Sequence, residues 1–370
     1  MSKSTPAWAK TRVSHRLGIA YPIIQGPLGG LSTQRLTAAV SNYGALGSFG
    51  AHGLSPGAIR DVIAEIRSMT DRPFAVNLWV SMEDQGARAA DEAAFNRSLA
   101  TLAPFIQSLG GELPSFKAYS PIKFEDQARA IIDAKVPVFS FIYGIPPKDI
   151  LDECRANGIV TIGAATTPEE AVALQKANVD VIAASGFEAG GHRGSFLRPA
   201  EDSLTGTFSL VPQVADLVSA PVVAAGGIAD ARGVVAALAL GAQGVQIGTA
   251  FLACPESGSK PQHREALLGG EARRTALTRG FTGRLGRGIS NRLLEMMNKP
   301  GVEVLPYPLQ RSLVNSLSGS AEKAGRADLM PMWAGQSASL ARHTSPIDLL
   351  NTIVSGVSYM LKELSTAGDQ

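Results

Sequence analysis

The chain has 370 residues, 45% of them hydrophobic, with 39 glycines and a formal net charge of +2 at pH 7, which is enough apolar material for one large core and an insertion. A charge this near balance, without a polybasic run, excludes the counterion release on which nucleic-acid binding depends. The opening MSKSTPAWAKTRVSHRLGIAYP lacks a signal-like apolar run and no later stretch reaches the roughly 18–20 apolar residues that span a bilayer, so a cytoplasmic protein without a membrane partner is expected.

Short apolar or β-branched runs ending in Gly, Asn or Ser alternate with helical patterns from the start of the chain. Pro22–Gly26 reads as a strand, Thr33–Asn42 as a helix, Ala45–Phe49 as a strand and Pro56–Met69 as a helix. Phe74–Val80 is the third strand, followed by helices over Ala87–Leu109 and Phe124–Ala134. Strands over Pro137–Gly144, Ile159–Ala164 and Val179–Gly186 are separated by helices over Pro147–Asn157 and Thr167–Ala177. A helix over Ser209–Ser219, a strand over Pro221–Gly227, a helix over Ala231–Leu240 and a strand over Gly244–Phe251 complete the series. Near-continuous hydrophobicity suits strands covered on both faces, and stacked βα units imply a parallel sheet. The expected class is α/β, a (β/α)8 TIM barrel; an open sheet of eight parallel strands satisfies the same pattern.

After Phe251 the chain becomes charged and rich in Arg. Residues 256–330 are expected to form a smaller, mainly helical subdomain without strands, serving as substrate lid, inserted in a barrel made of residues 1–255 and 331–370. Ser345–Leu364, with Ile347, Leu350, Ile353, Val354, Val357 and Leu361 at helical spacing, should return to the barrel wall as the last helix. Cys154 and Cys254, distant and without CxxC spacing, are expected as buried small hydrophobes, with no disulfide and no metal site.

In such a barrel the chemistry belongs to the C-terminal ends of the strands. Gly226 and Gly227 follow the seventh strand, and a helix opens after Gln246, Gly248 and Thr249. Backbone N–H groups there suit a bound phosphate; tight turns needing positive φ are the alternative. The loop after the sixth strand, SGFEAGGHRG, runs from Ser185 to Gly194. Gly190 and Gly191 let backbone approach a flat ligand, and His192 after them can exchange a proton near neutral pH. His15, His52, His263 and His343 are expected in surface or structural roles. The carboxamides of Gln25 and Asn77, at the ends of the first and third strands, suit the pyrimidine edge of a flavin, and each would serve equally as a loop cap.

Together these blocks resemble the nitronate monooxygenase family, formerly the 2-nitropropane dioxygenases. The resemblance is carried by PIIQGPLGGLSTQRLTAAVSNYGALGSFG, PFAVNLWV, SFIYGIP, GFEAGGHRGSF, APVVAAGGIADARGVVAALALGAQGVQIGTAF and MWAGQS at Met332–Ser337. It implies an FMN-dependent oxidoreductase, with Asn77, Gly190, Gly227, Gln246, Gly248 and Thr249 at positions that hold the flavin and His192 as catalytic base. The implied reaction is oxidation of alkyl nitronates, and of nitroalkanes, by O2 to carbonyl compounds and nitrite. Many relatives carry Gln in place of Ser185 and Met in place of Leu28. Tyr143, Phe187, Trp333 and Gln336 are expected to line the substrate pocket, and a homodimer is the common assembly of such enzymes. The alternative is an FMN-dependent NAD(P)H reductase of the same superfamily, acting on enoyl-ACP or quinones. A relative of IMP dehydrogenase would need a Cys after the sixth strand, where none stands, and a barrel that merely binds FMN would have no use for His192.

Overall fold

The computed structural model describes residues 5–81, 84, 86–117 and 122–367. Its strands are β1 (Ile23–Gln25), β2 (Gly47–Gly50), β3 (Phe74–Trp79), β4 (Val138–Ile142), β5 (Val160–Ala165), β6 (Val181–Ser185), β7 (Gly191–His192), β8 (Val222–Ala225), β9 (Gly244–Ile247), β10 (Thr275–Thr278) and β11 (Gly286–Ile289). Eight of them run parallel in the order β1-β9-β8-β6-β5-β4-β3-β2. The bridge Ile24–Leu46 joins the two ends, with Gln25 N–H and Leu46 N–H donating to Leu46 O and Ile23 O at 2.9 Å each. That closure makes a (β/α)8 barrel and rules out the open sheet. Because β7 lies outside the barrel, its seventh and eighth strands are β8 and β9.

Local sequence fixes the ends of the surrounding helices. Thr33, Ser55, Thr167 and Asp230 cap helix starts through side-chain oxygens that accept from N–H groups two or three residues on, satisfying donors that the helix leaves open. Gly44 ends the helix Gln34–Tyr43 at φ 102°, a left-handed conformation that costs glycine little. The last helix, Pro346–Ala367, rejoins the wall as expected, and Tyr43 Oη meets Asn351 Oδ1 at 3.0 Å.

Ile24, Leu46, Ala75, Val138, Ile162, Val181 and Val223 fill the barrel interior together with Val13 and Leu17 of the helix Arg12–Leu17. Several of these are first or early residues of their strands, so that helix plugs the N-terminal mouth and leaves the C-terminal mouth to hold a ligand. Fully burying each such Val, Leu or Ile contributes roughly 1.5–3 kcal/mol.

Two features differ from the sequence-based expectation. Residues 256–330 contain strands: β10 and β11 pair antiparallel, and β11 pairs with β7. The RLGRGIS segment hides its strand because glycine has poor β-propensity. The helix Glu92–Ser108 packs through Phe95, Leu99, Leu102 and Ile106 into a second core shared with Leu293, Leu313 and Leu317, leaving Phe124–Asp133 to cover the wall. Among the described residues no helix is long and apolar enough to cross a membrane.

Candidate functional site

A cavity of about 400 Å³ opens at the C-terminal mouth. It is lined by eleven residues expected at a site, namely Asn77, Ser185, Gly190, Gly191, His192, Gly226, Gly227, Gln246, Gly248, Thr249 and Trp333. Leu28 lines it as well.

One side is built from backbone. Gly226 and Gly227 have φ of 99° and 74°, so the tight-turn requirement holds there and turns the chain at the mouth. Among the described residues no acceptor engages the N–H groups of Gly226, Gly227 or Thr249. A Cβ added at Gly191 would meet nothing within 4 Å, and one at Gly248 only Leu28 Cδ2 at 3.6 Å. The result is a glycine-walled cradle with unspent donors, suited to an anion and a flat group. Asn77, buried, donates from Nδ2 to Ser140 Oγ at 3.0 Å, which fixes its carboxamide at the cavity edge.

The other side is built from side chains and held by β11. Gly286 pairs with His192, and Gly288 bridges to Trp333. Both must be glycine: a Cβ at 286 would stand 2.7 Å from Trp333 Cζ3, and one at 288 would stand 2.6 Å from Met332 O. His192 Nε2 meets Thr282 Oγ1 at 2.8 Å. Its ring stands edge-on to Trp79 at 4.9 Å and 4.7 Å from Trp333. Burial, then neighbouring His52, Arg284 and Arg311, hold its imidazole well below the usual histidine range, so the ring is neutral at pH 7.

The loop carrying His192 is pinned from beneath. Buried Arg193 donates to Ser185 O, to Thr166 O at 3.0 Å and to Ser203 O from Nε at 2.9 Å. Glu170 accepts from Thr166, Phe196 and Leu197 N–H at 2.6, 2.6 and 3.1 Å. Glu188 accepts from Thr207 N–H at 2.9 Å, and Thr207 Oγ1 donates to Gly226 O at 3.0 Å. These bonds couple the β6 loop to the turn after β8.

Four expected residues do not line the cavity. Gln25 is fully buried: its Oε1 accepts from Ser48 N–H at 3.0 Å and its Nε2 donates to Gly26 O, so its amide ties β1 to β2 away from the cavity wall. Tyr143 lies under the Arg284 guanidinium at 4.0 Å, one layer behind Trp79. The Phe187 ring packs against Arg287 at 5.3 Å. Gln336 is exposed and donates its backbone N–H to Glu188 O at 2.9 Å.

Other residues at the cavity carry no sequence expectation of function. His52 and His263, expected in structural roles, both line it, as do Trp79, Thr282 and Arg311. Burial brings the pKa of His52 down to about 3 and that of His263 to about 4. His52 had one legible signal, its place directly after the second strand. Thr282 and Arg311 had none, because only the folded insertion brings them to the mouth.

The chain matches the nitronate monooxygenase family over residues 10–356. It is 40% identical over 358 residues to a probable nitronate monooxygenase of Staphylococcus aureus, covering 96% of this chain and 99% of that protein. Among solved structures, a nitroalkane oxidase from Streptomyces ansochromogenes is 34% identical with a TM-score of 0.86, covering 95% of this chain and 99% of that one. FabK from Thermotoga maritima is 29% identical with a TM-score of 0.74, covering 97% and 99% respectively.

Proposed function

The chain belongs to the nitronate monooxygenase family and is an oxidoreductase, and from that premise we propose that it binds FMN at the barrel mouth and oxidises alkyl nitronates, and nitroalkanes after proton removal, to carbonyl compounds and nitrite with O2. The observation that carries this reading is a neutral histidine facing a glycine-walled cavity with unspent backbone donors. The residues present fit the cofactor. Gly226, Gly227 and Thr249 would give N–H groups to its phosphate, Gly191 and Gly248 would leave room for the flat ring, and Asn77 and Gln246 would meet its polar edge. When bound, FMN supplies electron acceptance from the nitronate and the reaction with O2.

His192 acts on the neutral nitroalkane. In this assignment Nε2 carries the ring proton and donates it to Thr282 Oγ1, which leaves the Nδ1 lone pair as the base. Nδ1 takes the α-proton, the C–H pair moves into the C=N bond, and negative charge collects on the nitro oxygens. Trp79 and Trp333 hold the ring in place from two sides, and Thr282 continues to accept from the imidazolium. A preformed nitronate needs no such step.

The test is product analysis in air with the FMN-loaded protein. Nitrite and a carbonyl compound released together from a nitronate, with O2 uptake and without NADH, are expected. Turnover that depends on NADH and yields no nitrite would instead make the protein a reductase.

A further inference from the structure

One wall of the cavity holds two groups that the proton-transfer chemistry does not use. Arg311 lines it and donates to His52 Nε2 and to Tyr307 Oη, both at 3.4 Å. Among the described residues no carboxylate lies within ion-pair distance of Arg311. Arg284, the neighbouring guanidinium, is by contrast neutralised by Asp84 at 2.7 Å. Among the described residues Arg311 is therefore a positive charge without an ion-pair partner beside the reacting histidine.

His52 is only 3% exposed and stacks on Trp79 with ring centroids 3.9 Å apart and planes 4° from parallel. A guanidinium can only donate, so Nε2 of His52 is the acceptor and the ring proton sits on Nδ1. That Nδ1 is buried and has no hydrogen-bond partner. Buried donors are almost always satisfied, so an orphan beside a cavity points to a ligand acceptor. The loop after β1 leaves room for the pair: a Cβ at Gly29 would stand 2.7 Å from His52 Cε1, and one at Gly30 would stand 3.9 Å from Arg311 Nη2.

We infer that Arg311 and His52 Nδ1–H form an oxyanion subsite that receives the oxygens of the substrate's nitronate group at the wall of the cavity that His192 also lines. The inference rests on the nitronate chemistry proposed above and adds to it a discrimination. The subsite meets a full charge when a nitronate binds, but meets charge in a neutral nitroalkane only as His192 removes the proton. Arg311 therefore contributes to ground-state binding of the first and to the transition state of the second.

Inorganic nitrate, planar and inert to oxidation, is the probe. Calorimetric titration of the FMN-loaded protein should show nitrate binding and competition with a nitronate. Arg311→Met should weaken nitrate about tenfold or more, the effect of losing a charge-assisted hydrogen bond, with Arg311→Lys intermediate. His52→Phe keeps a ring on Trp79 without the N–H and should weaken nitrate about threefold or more, a neutral bond being worth less. In turnover, Arg311→Met should raise KM for the nitronate about tenfold, and with nitroethane should lower kcat more than it raises KM. Wild-type nitrate affinity in both FMN-retaining variants, or no nitrate binding to the wild-type protein, overturns the subsite. If Arg311→Met loses FMN, Arg311→Lys and His52→Phe decide the question by the same titration. Nitrate binding that depends on Arg311 in a protein releasing no nitrite from nitronates would refute the proposed function and leave the subsite standing.

Discussion

The two sides of the cavity are made of different material. The side formed after β8 and β9 is backbone: glycines at positive φ and N–H groups without acceptors. The side around His192 is an assembly of side chains from the β3 end, the β6 loop and the insertion, joined through β11. A backbone site is specified wherever glycine is compulsory. A side-chain site is specified by which distant segments the fold brings together. The first should fail through cofactor affinity and the second through rate.

The largest expected effect lies on the side-chain side. His192→Asn should retain FMN yet lose about 10²–10⁴-fold in kcat/KM for a neutral nitroalkane, the usual contribution of a positioned base. Preformed nitronates should lose much less, and parallel steady-state assays of both substrates measure the gap. Gly227→Ala probes the other side. At φ 74° a methyl costs about 1–2 kcal/mol, and FMN should bind several-fold to roughly thirtyfold more weakly while the loaded fraction keeps its turnover. Gly158→Ala, at φ 69° in open space, is the control: fluorescence titration should show its FMN affinity unchanged although thermal stability falls.

Most of the backbone side was legible in the chain. Gly226, Gly227, Gly248 and Thr249 fall where strands end, and strand ends follow from apolar runs. Gln25 was misleading for the same reason, since a carboxamide at a strand end reads alike whether it turns to a ligand or, as here, ties β1 to β2. His192 was legible from its glycines. Its supports were not: Thr282 and Arg311 lie about a hundred residues away, and β11 is built on glycines that carry no strand signal. Tyr143 and Phe187 are aromatic residues at strand ends, a placement that suits a pocket lining, but arginine packing draws both behind the wall.

Thr282→Val tests that distant support more gently. It should lower kcat/KM for nitroalkanes about three- to tenfold by removing one hydrogen bond, move the kinetic acid limb, and be restored by Thr282→Ser. A further effect, on folding and not on turnover, is the dependence of stability on pH. His52 and His263 are neutral in the fold, with pKa of about 3 and about 4, while the unfolded chain takes up protons near pH 6.5. Their contribution is present above that value and is lost as pH falls. Each should cost roughly 1.4 kcal/mol per pH unit below about pH 6 until its folded pKa is reached. Urea midpoints taken from pH 7 to pH 5 should show this slope, and His52→Phe should reduce it.

The most direct test mixes the FMN-loaded protein anaerobically with a nitronate and, separately, with NADH, and follows the visible flavin absorbance by stopped flow. Rapid loss of absorbance with the nitronate and slow loss with NADH is the predicted result. Fast bleaching by NADH with no response to the nitronate would contradict nitronate oxidation and make the protein a nicotinamide-dependent reductase.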